Sequence, residues 1–410
     1  MKTYVYRFLN STLIAFLLFG VPDILKADDP GDTTTNPIAT VRYLHCPCEG
    51  GPTREFVKTI NRDFKTSANG TTAIYNRYGD VNIRTWAENR VKIDITIVVS
   101  AYDQKEAEKA MGQINANFTN TNGYIKAETM IGNLNNWGGN YYNWVDKSEK
   151  KCQDYRINYE VWIPIENQLD IQNKYGASFV ANLNGKLLAD IWYGDLRVEN
   201  IKSDANIKIE GGKATIASAK NLYGQVASGG IIVENATDIQ MDTRNSECTF
   251  RRAGNLRITS KYDNLAFGKI ENLRLQTKYS EVNVVSARTA FITAQYTKAN
   301  IANIGLQLDA DFQNGDLTIE KLNVGFDLVN FIGNTANITI SRAPGVSYRY
   351  AINGNNTQMS LASAGSGNKA YSKNASNGNS GFVKEGLIGN DANTRSALKA
   401  RMTYGTITLK

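Results

Sequence analysis

The stretch that decides the fold is Tyr193–Ile332, where one short strand pattern returns about every 17 residues. It reads YGDLRV from Tyr193, GGKATI from Gly211, SGGIIV from Ser228 and NSECTF from Asn245. It continues as YDNLAF from Tyr262, YSEVNV from Tyr279, YTKANI from Tyr296 and NGDLTI from Asn314. A fixed period this short, with strand-like units, is the signature of a solenoid. The fourth position of each unit is apolar: Leu196, Ala214, Ile231, Cys248, Leu265, Val282, Ala299 and Leu317. The sixth is apolar again, from Val198 through Phe250 and Phe267 to Ile319, and the fifth is mostly polar or small. That period of two buries one face of each strand. A third inward column follows at Ile201, Ala219, Ala236, Ala253, Ile270, Ala287, Ile304 and Leu322. A second short strand, such as Leu256 with Ile258, closes each coil.

The expected architecture is an all-β, single-chain β-solenoid of the β-helix or β-roll kind, with two-strand coils and one short N-terminal helix. One coil cannot hide its own apolar face, so neighbours stacked about 4.8 Å apart bury a continuous strip. The open ends of such a stack need caps.

Outward from the repeat, residues 1–27 read as a signal peptide. Lys2 and Arg7 precede a short apolar core, Leu13–Val21, and Ala27 offers a cleavage position. Residues 28–53 read as a flexible leader. Residues 54–170 are expected to form an N-terminal capping part. It contains an early copy of the repeat at Tyr78–Ile83 and a helix over 103–115 opened by an Asp103/Glu106 capping box. Its loop, 131–151, is rich in Asn, Gly and aromatics. Regular coils should fill 171–352. The Asn/Ser/Gly-rich stretch 353–383 reads as a mobile loop, and 384–410, ending in YGTITL, as a final coil or cap.

Composition narrows the function. The 410 residues carry a net charge of +7, which falls to +5 when three cations and one acid leave with residues 1–27. The basic residues are scattered, and no Lys/Arg run of the nucleic-acid type appears. No nucleic-acid partner and no transmembrane segment in the mature chain are expected. Of the four cysteines, Cys248 falls on an inward column and reads as a buried thiol. His45, Cys46 and Cys48 lie together but match no standard zinc pattern. Cys152 could instead pin the Cys46–Cys48 segment through a disulfide. No metal or cofactor is expected.

Trp137, Tyr141, Tyr142 and Trp144 form the candidate ligand-binding group, because flat aromatic faces with polar edges suit sugar rings or a protein partner. The competing reading folds them back as a small extra core. Tyr262, Tyr279 and Tyr296 share the first column and read as a structural aromatic ladder, with a glycan track as the alternative. The third column, from Asp195 through Lys213, Glu247, Glu281 and Lys298 to Asp316, alternates in sign and should attract across the stack. A polysaccharide-processing enzyme, hydrolase- or lyase-like, is the alternative function, with Glu247 and Glu281 as its carboxylates. It needs two acids converging on one cleft, which a flat coil face does not provide.

NRYGDVNIRTW at Asn76–Trp86, the EAEKA helix, INYEVWIPIENQLDIQNKYG at Ile157–Gly176, the serial YGD coils and the YGTITL ending together resemble the bacterial putative-adhesin β-solenoid family. The resemblance covers roughly Arg54–Lys410. It implies an envelope protein of the kind common in Bacteroidetes: periplasmic, surface-bound or secreted, and non-enzymatic. Such a protein would bind a cell-surface glycan or an envelope or host protein, or serve as a scaffold. The resemblance supplies no catalytic residues. This chain departs from the family pattern in its Cys46-Pro47-Cys48 leader and in the aromatic insert.

Overall fold

The structure, a computed structural model, describes residues 54–132, 154–361, 373–377 and 381–410. It is a β-solenoid of about 10 turns, with a single helix among the described residues. The central coils are six strands of 15 residues: Leu196–Glu210, Lys213–Ala227, Gly230–Arg244, Glu247–Lys261, Asn264–Lys278 and Glu281–Gln295. Each runs through both apolar segments of its repeat, so the two short strands read in the sequence are one long strand. Successive strands pair in parallel with equivalent residues in register, as in Cys248 with Leu265 and Leu265 with Val282. Backbone groups are thereby satisfied between coils. All three apolar columns are buried, including Val233, Phe267 and Val284 one above another. Phe250 and Phe267 meet in the core with ring centres 6.0 Å apart.

The first repeat position is a left-handed corner. Tyr78, Tyr175, Tyr193, Ser228, Asn245, Tyr262, Tyr279, Tyr296 and Asn314 all have φ between 50° and 63° there, and Gly211 has 71°. A bulky residue in this region carries a steric cost. Stacking offsets it in two runs. Tyr78, Tyr175 and Tyr193 stack at 5.3 and 5.4 Å, and Tyr262, Tyr279 and Tyr296 at 5.1 and 4.9 Å.

The N-terminal part docks without a break. Strands Thr71–Arg77 and Val81–Trp86 pair in parallel with Gln168–Lys174 and Ser178–Val180, so the early repeat copy is the coil next to Tyr175. The chain between them is an excursion. Arg90–Ala101 lies antiparallel to both Arg54–Lys65 and Asp154–Pro164. The helix is Gln104–Gly112, with the Asp103 side chain accepting the Glu106 N–H. It is shorter than the spacing suggests, because Ile114 already begins the strand Ile114–Thr121. Ala107 and Ala110 bury its inner face.

At the other end the order in space departs from the order in sequence. The last strand, Ala397–Leu409, lies between Leu328–Arg342 and Tyr348–Leu361, parallel to both. The YGTITL ending is therefore an interior rung. The outer end is Tyr348–Leu361, covered over Tyr348–Asn355 by the antiparallel strand Gly381–Ile388, which Lys373–Asn377 pairs in turn. Asn353–Leu361, read from composition as part of a loop, is strand, because its backbone hydrogen-bonds along Arg401–Leu409. Among the described residues no helix is long and apolar enough to cross a membrane.

Candidate functional site

Alternation along the second half of each long strand sends every other side chain outward, and the parallel register aligns these residues into columns. One column runs Tyr223, Gln240, Arg257, Arg274, Phe291 and Asp309 over successive coils. A second, four residues further along, runs Arg244, Lys261, Lys278 and Gln295. Beside the first, a ladder of amides ties the coils together. Asn255 donates to Asp238 at 2.5 Å, Asn272 to Asn255 at 2.9 Å and the Thr289 hydroxyl to Asn272 at 2.7 Å.

The coil surface dips along this face. A groove of about 610 Å³ is lined by Arg257, Arg274, Phe291, Asp309 and Asn330 among others. A second, of about 540 Å³, adds Tyr223, Gln240 and Asn255 and shares Arg257, Arg274 and Phe291 with the first, so the two form one trough. Tyr223 and Phe291 are 40% and 39% exposed, high for aromatics on a folded surface. The Arg274 guanidinium lies 5.6 Å from the Phe291 ring centre. Among the described residues, Arg244, Arg257, Lys261, Arg274 and Lys278 form no ion pair. This trough is the strongest candidate site, and the sequence reading missed it. The signal that would have found it is the 17-residue spacing of Arg257 to Arg274 and of Arg244 to Lys261 to Lys278.

The aromatics Trp137, Tyr141, Tyr142 and Trp144 lie outside the described residues, as do His45, Cys46, Cys48 and Cys152. Tyr262, Tyr279 and Tyr296 stand on the corner beside the basic column, with Lys261 Nζ 4.9 Å from the Tyr262 ring centre. Their interplanar angles of 14° and 8° turn ring faces toward one another and leave edges and hydroxyls to solvent. Glu247 and Glu281 are exposed two coils apart with Asn264 between them, and they line neither groove. The attraction expected across their column is not made through ion pairs. The Asp195 carboxylate accepts the backbone N–H of Lys213 at 2.9 Å instead, since that donor is already held in place.

Two buried groups have structural explanations. Cys248 is a free thiol, fully buried, and burial pushes its pKa up to about 12. Asp263 is only 4% exposed. Its carboxylate accepts from the Thr243 and Ser260 hydroxyls at 2.7 Å each, from the Ser246 N–H at 2.7 Å and from the Lys261 N–H at 3.1 Å. A buried carboxylate with this many donors is fully occupied by the corner it holds.

Fold and surface together define the class: a single-chain β-solenoid with one continuous outward trough. No family model matches the chain, and no curated protein matches it. Among solved structures it is similar to a putative cell adhesion protein from Clostridium sporogenes, at 8% identity and a TM-score of 0.15, covering 87% of this chain and 99% of that one. It is also similar to a putative adhesin from Bacteroides fragilis, at 11% identity and 0.25, covering 86% and 97%. A third is a putative lipid binding protein from Parabacteroides distasonis, at 12% and 0.22, covering 86% and 96%.

Proposed function

We propose that this chain is an exported, non-enzymatic binding protein of the adhesin type, which holds a glycan or an envelope or host protein against its solenoid or serves as a scaffold there. The observation that carries this reading is the trough, where unpaired cations and exposed aromatics line up on a rigid stack. Unpaired guanidinium groups are free to bond a partner, and an exposed aromatic gains by being covered. The adhesin-type resemblance of the sequence and the signal peptide read at residues 1–27 support export to the periplasm, cell surface or medium. Trp137, Tyr141, Tyr142 and Trp144 are proposed as a second contact surface on the aromatic chemistry given above.

The test is binding of the full chain to an array of glycans and extracellular-matrix proteins, followed by product analysis of every ligand that binds. Saturable binding with the ligand recovered intact is the expected result. Cleavage of a bound polysaccharide, lost in Glu247→Gln or Glu281→Gln, would replace this reading with the enzymatic one. Alanine at the four aromatics should weaken binding to a subset of ligands, and unchanged binding across the array removes them as a contact.

A further inference from the structure

The five unpaired cations do not spread evenly along the face. Arg257 and Lys261 stand on one coil and Arg274 and Lys278 on the next, with Arg244 on the coil before. Three coils span about 10 Å along the axis, and four residues of strand span about 13 Å across it. Acids stand at both ends of this block, on its first coil and beyond Phe291. Asp238 and Asp242 lie on the Arg244 coil, and Asp309 and Asp311 line the trough beyond Phe291. Like-charged guanidinium groups on adjacent rungs repel unless an anion lies between them. Among the described residues no carboxylate forms an ion pair with either guanidinium.

We infer that the trough binds a short acidic stretch of a uronic-acid polysaccharide, its carboxylates on Arg257 and Arg274 and its ring faces on Tyr223 and Phe291. The inference rests on the binding reading above and names its ligand. Adjacent arginines offer planar forks that match carboxylates two bonds at a time. Exposed aromatic rings on either side of the pair suit the apolar face of a sugar ring. Lys261 and Lys278 add charge toward the tyrosine corner. The block is too small for a nucleic-acid duplex, whose backbone would run on over the aspartates at both ends.

The experiment measures affinity of the full chain for oligogalacturonate, a heparin-type sulfated oligosaccharide, dextran and a single-stranded DNA of matched charge, at low and at physiological salt. Oligogalacturonate should bind, more weakly as salt rises. Arg257→Gln/Arg274→Gln should bind it at least about tenfold more weakly, and Arg257→Lys/Arg274→Lys should fall between. Lys202→Gln/Lys220→Gln, which line neither groove, should match the unaltered chain. Thermal unfolding checks that the exposed substitutions leave the fold intact. Undiminished binding by the double glutamine variant overturns the site while leaving the binding reading standing. Tighter binding of DNA, of the sulfated sugar or of dextran overturns the ligand class. Absence of binding to all four probes overturns this inference, and the array result then decides separately whether the chain binds anything.

Discussion

Between Gly176 and Gly229 the residue after the left-handed position brings backbone directly onto backbone, whereas between Ser246 and Thr297 it turns a polar side chain into the corner. The residue after the left-handed position is Gly176, Gly194, Gly212 and Gly229 in the first region and Ser246, Asp263, Ser280 and Thr297 in the second. In the first, each coil presses onto the carbonyl beneath. A Cβ on Gly194 would lie 2.0 Å from the Gly176 oxygen, and one on Gly212 1.9 Å from that of Gly194. In the second, side chains turn inward and hydrogen-bond the corner. The Ser280 hydroxyl donates to the Lys278 carbonyl at 2.9 Å, the Thr297 hydroxyl to that of Gln295 at 2.9 Å, and Asp263 gathers four donors. One turn is thus held once by close contact and once by a buried polar network. The first tolerates no added atom, and the second tolerates no lost partner.

That contrast can be broken at its strongest point first. Gly194→Ala should destabilise by more than about 4 kcal/mol or abolish folding, and Gly212→Ser should do the same although serine is native at position 246. Gly112, with nothing within 4 Å of its added Cβ, is the control, and Gly112→Ala should be neutral or gain up to about 1 kcal/mol in denaturant unfolding. A mild Gly194→Ala would mean that the coils are spaced more loosely than described.

The polar corner should give a smaller but still large effect. Asp263→Ala leaves two hydroxyls and two backbone N–H groups without their acceptor and should cost about 3 kcal/mol. Asp263→Asn keeps one acceptor oxygen and should cost less. Equal losses from the two would argue that the negative charge, and not the count of acceptors, holds the corner.

The tyrosine run lies above this corner. Tyr279→Ala removes two stacking contacts while keeping a strained φ of 55°, and should cost about 1–2 kcal/mol. Tyr279→Asn should cost less, since asparagine already serves at Asn245 and Asn314 and accepts the left-handed conformation. If the two cost the same, backbone strain has no part in the choice of residue.

The effect confined to alkaline pH is at Cys248, in the same coils. The folded chain holds the thiol proton to about 12, while the unfolded thiol releases it near its ordinary 9.0. The unfolded state therefore binds fewer protons in that window, and stability falls as pH rises from 9 toward 12. Cys248→Ala should flatten this part of the pH–stability curve, compared by denaturant unfolding at successive pH values. The intact folded protein should also resist thiol reagents at pH 8.

The repeat made the fold legible because burial in a solenoid is periodic, and Leu196 to Leu317 display that period without interruption. The corner was half legible. The tyrosines stand out in the first column, but their left-handed φ does not, and Asp263 looks like an ordinary turn aspartate until Thr243 and Ser260 are found on its oxygens. The trough was hidden for a different reason. Arg257 and Arg274 are scattered charges along the chain, and only stacking at one rung per 17 residues sets them side by side.

From the sequence alone came the coil, its inward columns and the need for a stack, because alternation and period are local properties that each repeat carries within itself. Only the tertiary structure decided that the early copy at Tyr78 docks on the coil of Tyr175, that Ala397–Leu409 slips between Leu328–Arg342 and Tyr348–Leu361, and that Arg257 and Arg274 share one trough with Tyr223 and Phe291. Those are choices of neighbour, and near-identical rungs carry no local signal that prefers one neighbour to another.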